Sequence, residues 1–235
     1  MVESIKDLRE ICQANKVVRG RQGEQWIGRM FFRKFSIYFT KVFLYTPLTA
    51  NQISFLSSLI ALSAAILLAI GVWKLGIIAG FLFFLAEVVD HSDGEVARYR
   101  KTAGIKGERV ESYIGHFEIP LYWGGVTFAS FMLTNSVEYL AAGFIVILLF
   151  MKIERLKELK KDYQNKEFQN TPLDTVSAVT KSPKRFITFI AFSKYFNELV
   201  IIVAAVLNIL PIALLAYSVI SVLGYIAYGI DYLKV

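Results

Sequence analysis

The chain is poor in the residues that carry most protein chemistry: 235 residues include one cysteine, two histidines and five prolines, and only 19% are charged. A lone Cys12 excludes an internal disulfide and a cysteine-based metal cage, so neither a disulfide-stapled scaffold nor a zinc ribbon is available. Without a second ligand at metal-binding spacing, Cys12 is expected to be an inert thiol on a polar N-terminal segment. There is no glycine-rich phosphate loop of the P-loop type, no internal repeat and no low-complexity tract, which removes the commonest nucleotide-binding loop and the solenoid folds. No secretory signal with a small-residue cleavage site precedes the first apolar run, so the first membrane helix is expected to target the chain.

What the chain has instead is apolar surface. Hydrophobic residues make up 55% of it and aromatics 14%, more than a soluble domain of this length carries. Several apolar runs approach the roughly 20 residues a helix needs to cross a hydrocarbon core. Six spans are expected, at about 52–73, 75–98, 108–133, 137–152, 186–208 and 211–232. The fold class is therefore all-α: a polytopic six-transmembrane-helix bundle over residues 51–235, preceded by a cytoplasmic or interfacial segment over residues 1–50.

The net charge of +7 is explained by topology rather than by nucleic acid. Nine Lys and Arg fall in residues 1–50, five from Arg98 to Arg109 and nine from Lys152 to Arg185, while the turns near Asn135 and Asn208 have none. By the positive-inside rule, both termini and both basic loops are cytoplasmic. Residues 29–44 interleave aromatics with Arg29, Arg33, Lys34 and Lys41, the pattern of an amphipathic helix lying among headgroups. Pro47 breaks that helix, and Thr49 or Asn51 is expected to cap the first span. The charges from Lys152 to Lys161 suggest a helix continuing out of the membrane, and the Gln/Asn/Thr/Pro run after it a loop.

Most functional information lies at the end of the second span, which reads Asp90-His-Ser-Asp93-Gly94-Glu-Val-Ala97-Arg98. Asp90 and Asp93 are three apart, so both carboxylates share a helix face and can reach a common ion. Carboxylates at membrane depth are costly unless paired, protonated or metal-bound, so a functional site is the default reading. Gly94 and Ala97 are small enough to let a ligand approach the backbone, or alternatively serve a close helix contact. Arg98 supplies a permanent cation for a phosphate or a neighbouring acid, or marks the end of the span.

This run, followed after an eight-residue spacer by Gly107 and then by Glu111 four beyond it, resembles the signature of the CDP-alcohol phosphotransferases. The resemblance implies a metal-dependent membrane enzyme that transfers a substituted phosphoryl group, phosphatidyl or phospho-alcohol, from a CDP-alcohol to an acceptor hydroxyl with release of CMP, in phospholipid or polar-lipid biosynthesis. It implies that Asp90, Asp93 and the third acidic position, here Glu111, ligate two Mg²⁺ or Mn²⁺ ions, and that Asp90, Gly94, Ala97, Arg98 and Gly107 surround the donor. A homodimer is compatible with the resemblance.

The fourth acidic position, which in that family takes the proton of the attacking hydroxyl, is Gly115. His116 is the substitute base expected here. On a regular helix the Glu111 and His116 positions are separated by about 500° of rotation, which a π-bulge would correct. Alternatively the register slips by one, with Ser112 and His116 in the third and fourth places and Glu108 or Glu111 reaching in. Elsewhere, Glu87 and Glu118 are expected to support the metal shell or pair with a neighbour. Lys194 and Glu198 are expected to form an intrahelical pair, with Asn197 beside them in an acceptor-binding patch. The alternative function is a catalytically degenerate membrane protein that still binds CDP-alcohols. An ion-coupled transporter is a third, disfavoured by the lack of an inverted repeat or of an expected broken helix.

Overall fold

The structure, a computed structural model, describes residues 2–13, 31–164 and 183–232, and in 105–116, 158–164, 183–185 and 231–232 the backbone alone. The described residues form helices and no strands. In chain order they are α1 (Ile5–Cys12), α2 (Arg33–Leu44), α3 (Ala50–Ala69), α4 (Trp73–Tyr99), α5 (Ile105–Thr134), α6 (Glu138–Gln164), α7 (Pro183–Phe192), α8 (Lys194–Val206) and α9 (Leu210–Tyr232). The protein is all-α, as its long apolar runs and scarce prolines require.

Helix ends follow local chemistry. Thr49 starts α3 with a capping box, its hydroxyl accepting from the Gln52 amide while the Gln52 side chain accepts from the Thr49 amide. Asn135 and Asn208 take left-handed backbone after α5 and α8, a conformation asparagine tolerates better than most residues. The Gln/Asn/Thr/Pro run expected as a loop lies outside the described residues.

Among the described residues, α3, α4 and the segment Leu210–Ile230 of α9 are each long and apolar enough to cross a membrane. A fourth crossing exists if α7 and α8 act together, but they are bent by 64° where they meet. The unbroken helix expected over 186–208 is thus corrected to two helices, α7 and α8, that meet at this bend. Its cause is Ser193, whose side chain accepts from the Phe196 amide and starts a new helix in mid-run.

Small residues set the packing of α3, α4 and α5. Ala61, Ala64 and Ala65 of α3 are buried with Ala79 and Ala86 of α4 and Trp123, Val126 and Ala129 of α5. Closest approach is at Gly125, where an added Cβ would stand 2.9 Å from the Ala65 carbonyl oxygen, as expected where van der Waals contact holds membrane helices together.

The N-terminal helices dock on the C-terminal end of α4. Glu95, fully buried, accepts from the Gln13 amide at 2.7 Å, the Ser36 hydroxyl at 2.7 Å and the Thr40 hydroxyl at 2.6 Å. Arg98 Nε donates to the Cys12 carbonyl at 2.7 Å, and Arg100 donates to the carbonyls of Leu48, Phe43 and Thr46. Cys12, on the polar N-terminal segment, is buried with Leu8 and Ile37, and burial pushes its thiol up to about 11.

Candidate functional site

Helix α4 runs unbroken through the first half of the signature, Asp90 to Arg98, so its side chains sort by helical rotation. Asp90, His91, Gly94, Ala97 and Arg98 are half-buried, whereas Ser92, Asp93, Glu95 and Val96 are buried. Positions 90, 94 and 97 recur at the four- and three-residue spacing of one helix stripe. The small residues therefore do share a partly open face with Asp90.

Asp93 stands beside that stripe and turns inward, where the Ser54 hydroxyl of α3 donates to it. Ser54 opens the first span, and its position one turn after the Thr49 cap is what brings it to Asp93. Above Gly94 lies the Arg98 guanidinium, whose Nη1 would be 3.2 Å from an added Cβ. Arg98 thus does two things at once: Nε holds α1, and the tip of the group covers the glycine.

Gly107, Glu111 and His116, and with them Glu108 and Ser112, lie outside the residues whose side chains are described. Their backbone belongs to α5, a continuous α-helix from Ile105 to Thr134 with no π-bulge. The bulge considered for joining Glu111 to His116 is absent, and their positions stand about 140° apart around the helix.

One turn deeper a second acidic group gathers around Lys194, the first residue of α8. Its ammonium lies 2.7 Å from Glu118 Oε2 of α5, 3.1 Å from Glu87 Oε2 and 3.4 Å from Asp90 Oδ2 of α4. The expected Lys194–Glu198 intrahelical pair is corrected: the ammonium makes its ion pairs across the bundle. Asn197 is corrected too. It is fully buried, accepts from Trp123 Nε1 at 2.7 Å and donates to the Ser193 and Ala191 carbonyls at 2.8 and 3.3 Å, so it braces the helix break and offers no surface to an acceptor.

No family model and no curated protein matches this chain. The site must therefore be weighed on its chemistry. Glu87, Asp90 and His91 have ligand atoms all within 4.8 Å of one another, a spacing that a metal ion could bridge. His91 is a poor member of that set. Its Nδ1 is 2.9 Å from the Glu87 carbonyl oxygen, and its Nε2 is 3.3 Å from the Tyr195 hydroxyl. Nδ1 also lies 3.4 Å from Glu87 Oε1, and Phe32 stacks on the ring at 5.8 Å. The carboxylates are the better ligands.

Sequence reasoning passed over His91 and Glu95 because both occupy variable places inside the signature. Lys194 carried a legible signal, a cation inside an apolar run, but its partners were assigned to its own helix.

Proposed function

We propose that the protein transfers a substituted phosphoryl group from a CDP-alcohol to an acceptor hydroxyl, releasing CMP, within a membrane. What carries this reading is the half-open stripe of Asp90, Gly94 and Ala97 at the end of α4, with Asp93 held beside it by Ser54. Two carboxylates three residues apart, with small residues on the adjoining stripe, supply hard oxygen ligands next to room for a diphosphate. That donor set fits Mg²⁺ or Mn²⁺.

In this reading Asp90 and Asp93 would hold the two ions, with Glu111 reaching in from α5 under the one-residue register slip that puts Ser112 and His116 on one face of its regular helix. When bound, such a pair offsets charge on the diphosphate and on the departing CMP. Gly94, Ala97 and Gly107 keep the floor of the site low, and Arg98 offers its guanidinium to a phosphate oxygen. His116 receives the proton of the acceptor hydroxyl as the new O–P bond forms and the bond to CMP breaks. The membrane frame proposed with it is six spans, a headgroup-lying N-terminal helix and cytoplasmic termini.

The test is divalent-dependent CMP release by purified protein in lipid, over a panel of CDP-alcohols and acceptors, beside Asp93→Asn and His116→Ala. Release that both variants abolish supports the reading and the histidine base. Metal-dependent CDP-alcohol binding without release, across all acceptors, replaces it with a degenerate binder. A transporter reading regains support from the break at Ser193, since discontinuous helices beside buried acids are a transporter device. Nucleotide-independent solute flux into proteoliposomes would establish it.

A further inference from the structure

Arg98 belongs both to the signature and to the docking of α1. Its Nε donates to the Cys12 carbonyl at 2.7 Å, while Nη1 and Nη2 stand 3.2 and 3.7 Å from where a Cβ on Gly94 would be. A guanidinium presents its N–H donors in one rigid plane, so fixing its Nε edge also fixes where its tip points. A side chain this long otherwise spreads over many rotamers.

The carbonyl that holds Arg98 is a helix-end group. Cys12 closes α1, and the last four carbonyls of a helix find no amide within it. The negative end of the helix dipole also favours a cation there. Further contacts keep α1 in place on α4: Glu95 accepts from the Gln13 side chain at 2.7 Å, and the Tyr99 hydroxyl donates to Glu3. Arg9 and Gln13 donate to the Lys34 and Arg33 carbonyls of α2 at 3.2 and 2.9 Å. Positions 95, 98 and 99 follow three- and four-residue spacing, so one face of α4 receives α1 and bears the guanidinium.

α1 has eight residues, too few to persist as a helix alone in water. Its order depends on docking, where Leu8 and Cys12 are buried against Ile37 with Ile5 and Tyr99 packed beside them. Docking is therefore a local equilibrium, and the orientation of Arg98 goes with it.

We infer that α1 is the positioning element of the donor site: docked, it holds the Arg98 guanidinium over Gly94 where a diphosphate would meet it, and undocked, it lowers the affinity for a nucleoside diphosphate. The inference rests on the phosphotransferase reading for the identity of the ligand and adds its regulation. Ordering a charged donor in advance raises affinity because binding no longer has to order it. The coupling is reciprocal, so a bound diphosphate tightens α1 by the factor by which α1 tightens the diphosphate.

Cys12 makes this measurable, being the one cysteine of the chain and buried in the docked face. The experiment follows maleimide labelling of Cys12 in the full chain in lipid nanodiscs with Mg²⁺, with and without CDP, and measures CDP affinity by calorimetry. CDP is expected to slow labelling of the parent about tenfold, and Leu8→Asp, which puts a charge into the docked face, to weaken CDP binding by a similar factor. Leu8→Ala should fall between, and Leu8→Met should resemble the parent. In an Arg98→Ala background, saturating CDP should no longer slow labelling, and Leu8→Asp should weaken CDP binding no further, a coupling that a merely stabilising helix does not produce. Labelling that CDP leaves unchanged or accelerates overturns the inference, as does a Leu8→Asp penalty equally large in the Arg98→Ala background. If the parent releases CMP from a CDP-alcohol in either of those cases, the phosphotransferase reading stands without the inference. Protection by CDP without CMP release from any CDP-alcohol leaves the inference standing and removes that reading. Absence of CDP binding overturns both.

Discussion

Replacing Glu95 by alanine should release the N-terminal helices from α4 without unfolding the bundle. The carboxylate is buried and has three neutral donors, of unequal dependence. Gln13 also donates to the Arg33 carbonyl at 2.9 Å and keeps that bond. Ser36 falls back on the same carbonyl at a weak 3.5 Å, while Thr40 makes no other side-chain hydrogen bond among the described residues. Two bonds from fully buried hydroxyls to a carboxylate are thus lost outright, at about 1.5–3 kcal/mol each. Removing a desolvated charge returns part of this, so the net loss should be about 2–4 kcal/mol. Because docking of α1 and α2 is a local equilibrium, the loss should appear as about 30- to 1,000-fold faster amide exchange over residues 33–44, at roughly 1.4 kcal/mol per factor of ten. Hydrogen–deuterium exchange in nanodiscs measures this, with α3 and α9 as internal controls. Glu95→Gln, which keeps one acceptor, should fall between. A change below threefold in α2, or an equal change in α3, would refute the latch.

Other consequences are as concrete. Gly125→Ala puts a Cβ against the Ala65 backbone and should cost about 1–3 kcal/mol in thermal unfolding, whereas Gly124→Ala, with nothing within 4 Å, should be neutral. Asn197→Leu orphans the Trp123 N–H and takes the side-chain donor from the Ala191 carbonyl at the helix break, while the Ser193 carbonyl keeps the backbone N–H of residue 197; it should destabilise by about 2–4 kcal/mol, with a changed tryptophan emission. Cys12 should resist a maleimide at pH 8: a thiol raised from 9.0 to about 11 stays protonated until more alkaline pH, so its thiolate fraction is about 100-fold lower, and burial slows it further. In Glu95→Ala protein, labelling should accelerate. Ser54→Ala should leave Asp93 without its hydroxyl donor and, in the proposed reaction, raise the divalent concentration needed for half-maximal CMP release several-fold.

The class of the fold, the approximate positions of most helices and the Thr49 cap were legible in the sequence, whereas the stripe that Asp90 shares with Gly94 and Ala97 was read there as a neighbouring one. Each depends on distances of a few residues: an apolar run, a capping hydroxyl three residues from its amide, a 3.6-residue turn. What the sequence could not settle is which buried polar groups meet. Asp93 finds Ser54 from 39 residues away, Glu95 finds Ser36 and Thr40 from 59 and 55, and Lys194 reaches Asp90 across 104. Such pairings depend on how far each helix is rotated and how closely it crosses its neighbours, and small residues such as Gly125 and Ala65 set those quantities jointly. The break at Ser193 belongs to the same class. Within an apolar run a serine reads as tolerated polarity; its cap on the Phe196 amide starts the new helix, and the Trp123–Asn197 contact across the bundle holds that helix where Lys194 meets the acids of α4 and α5.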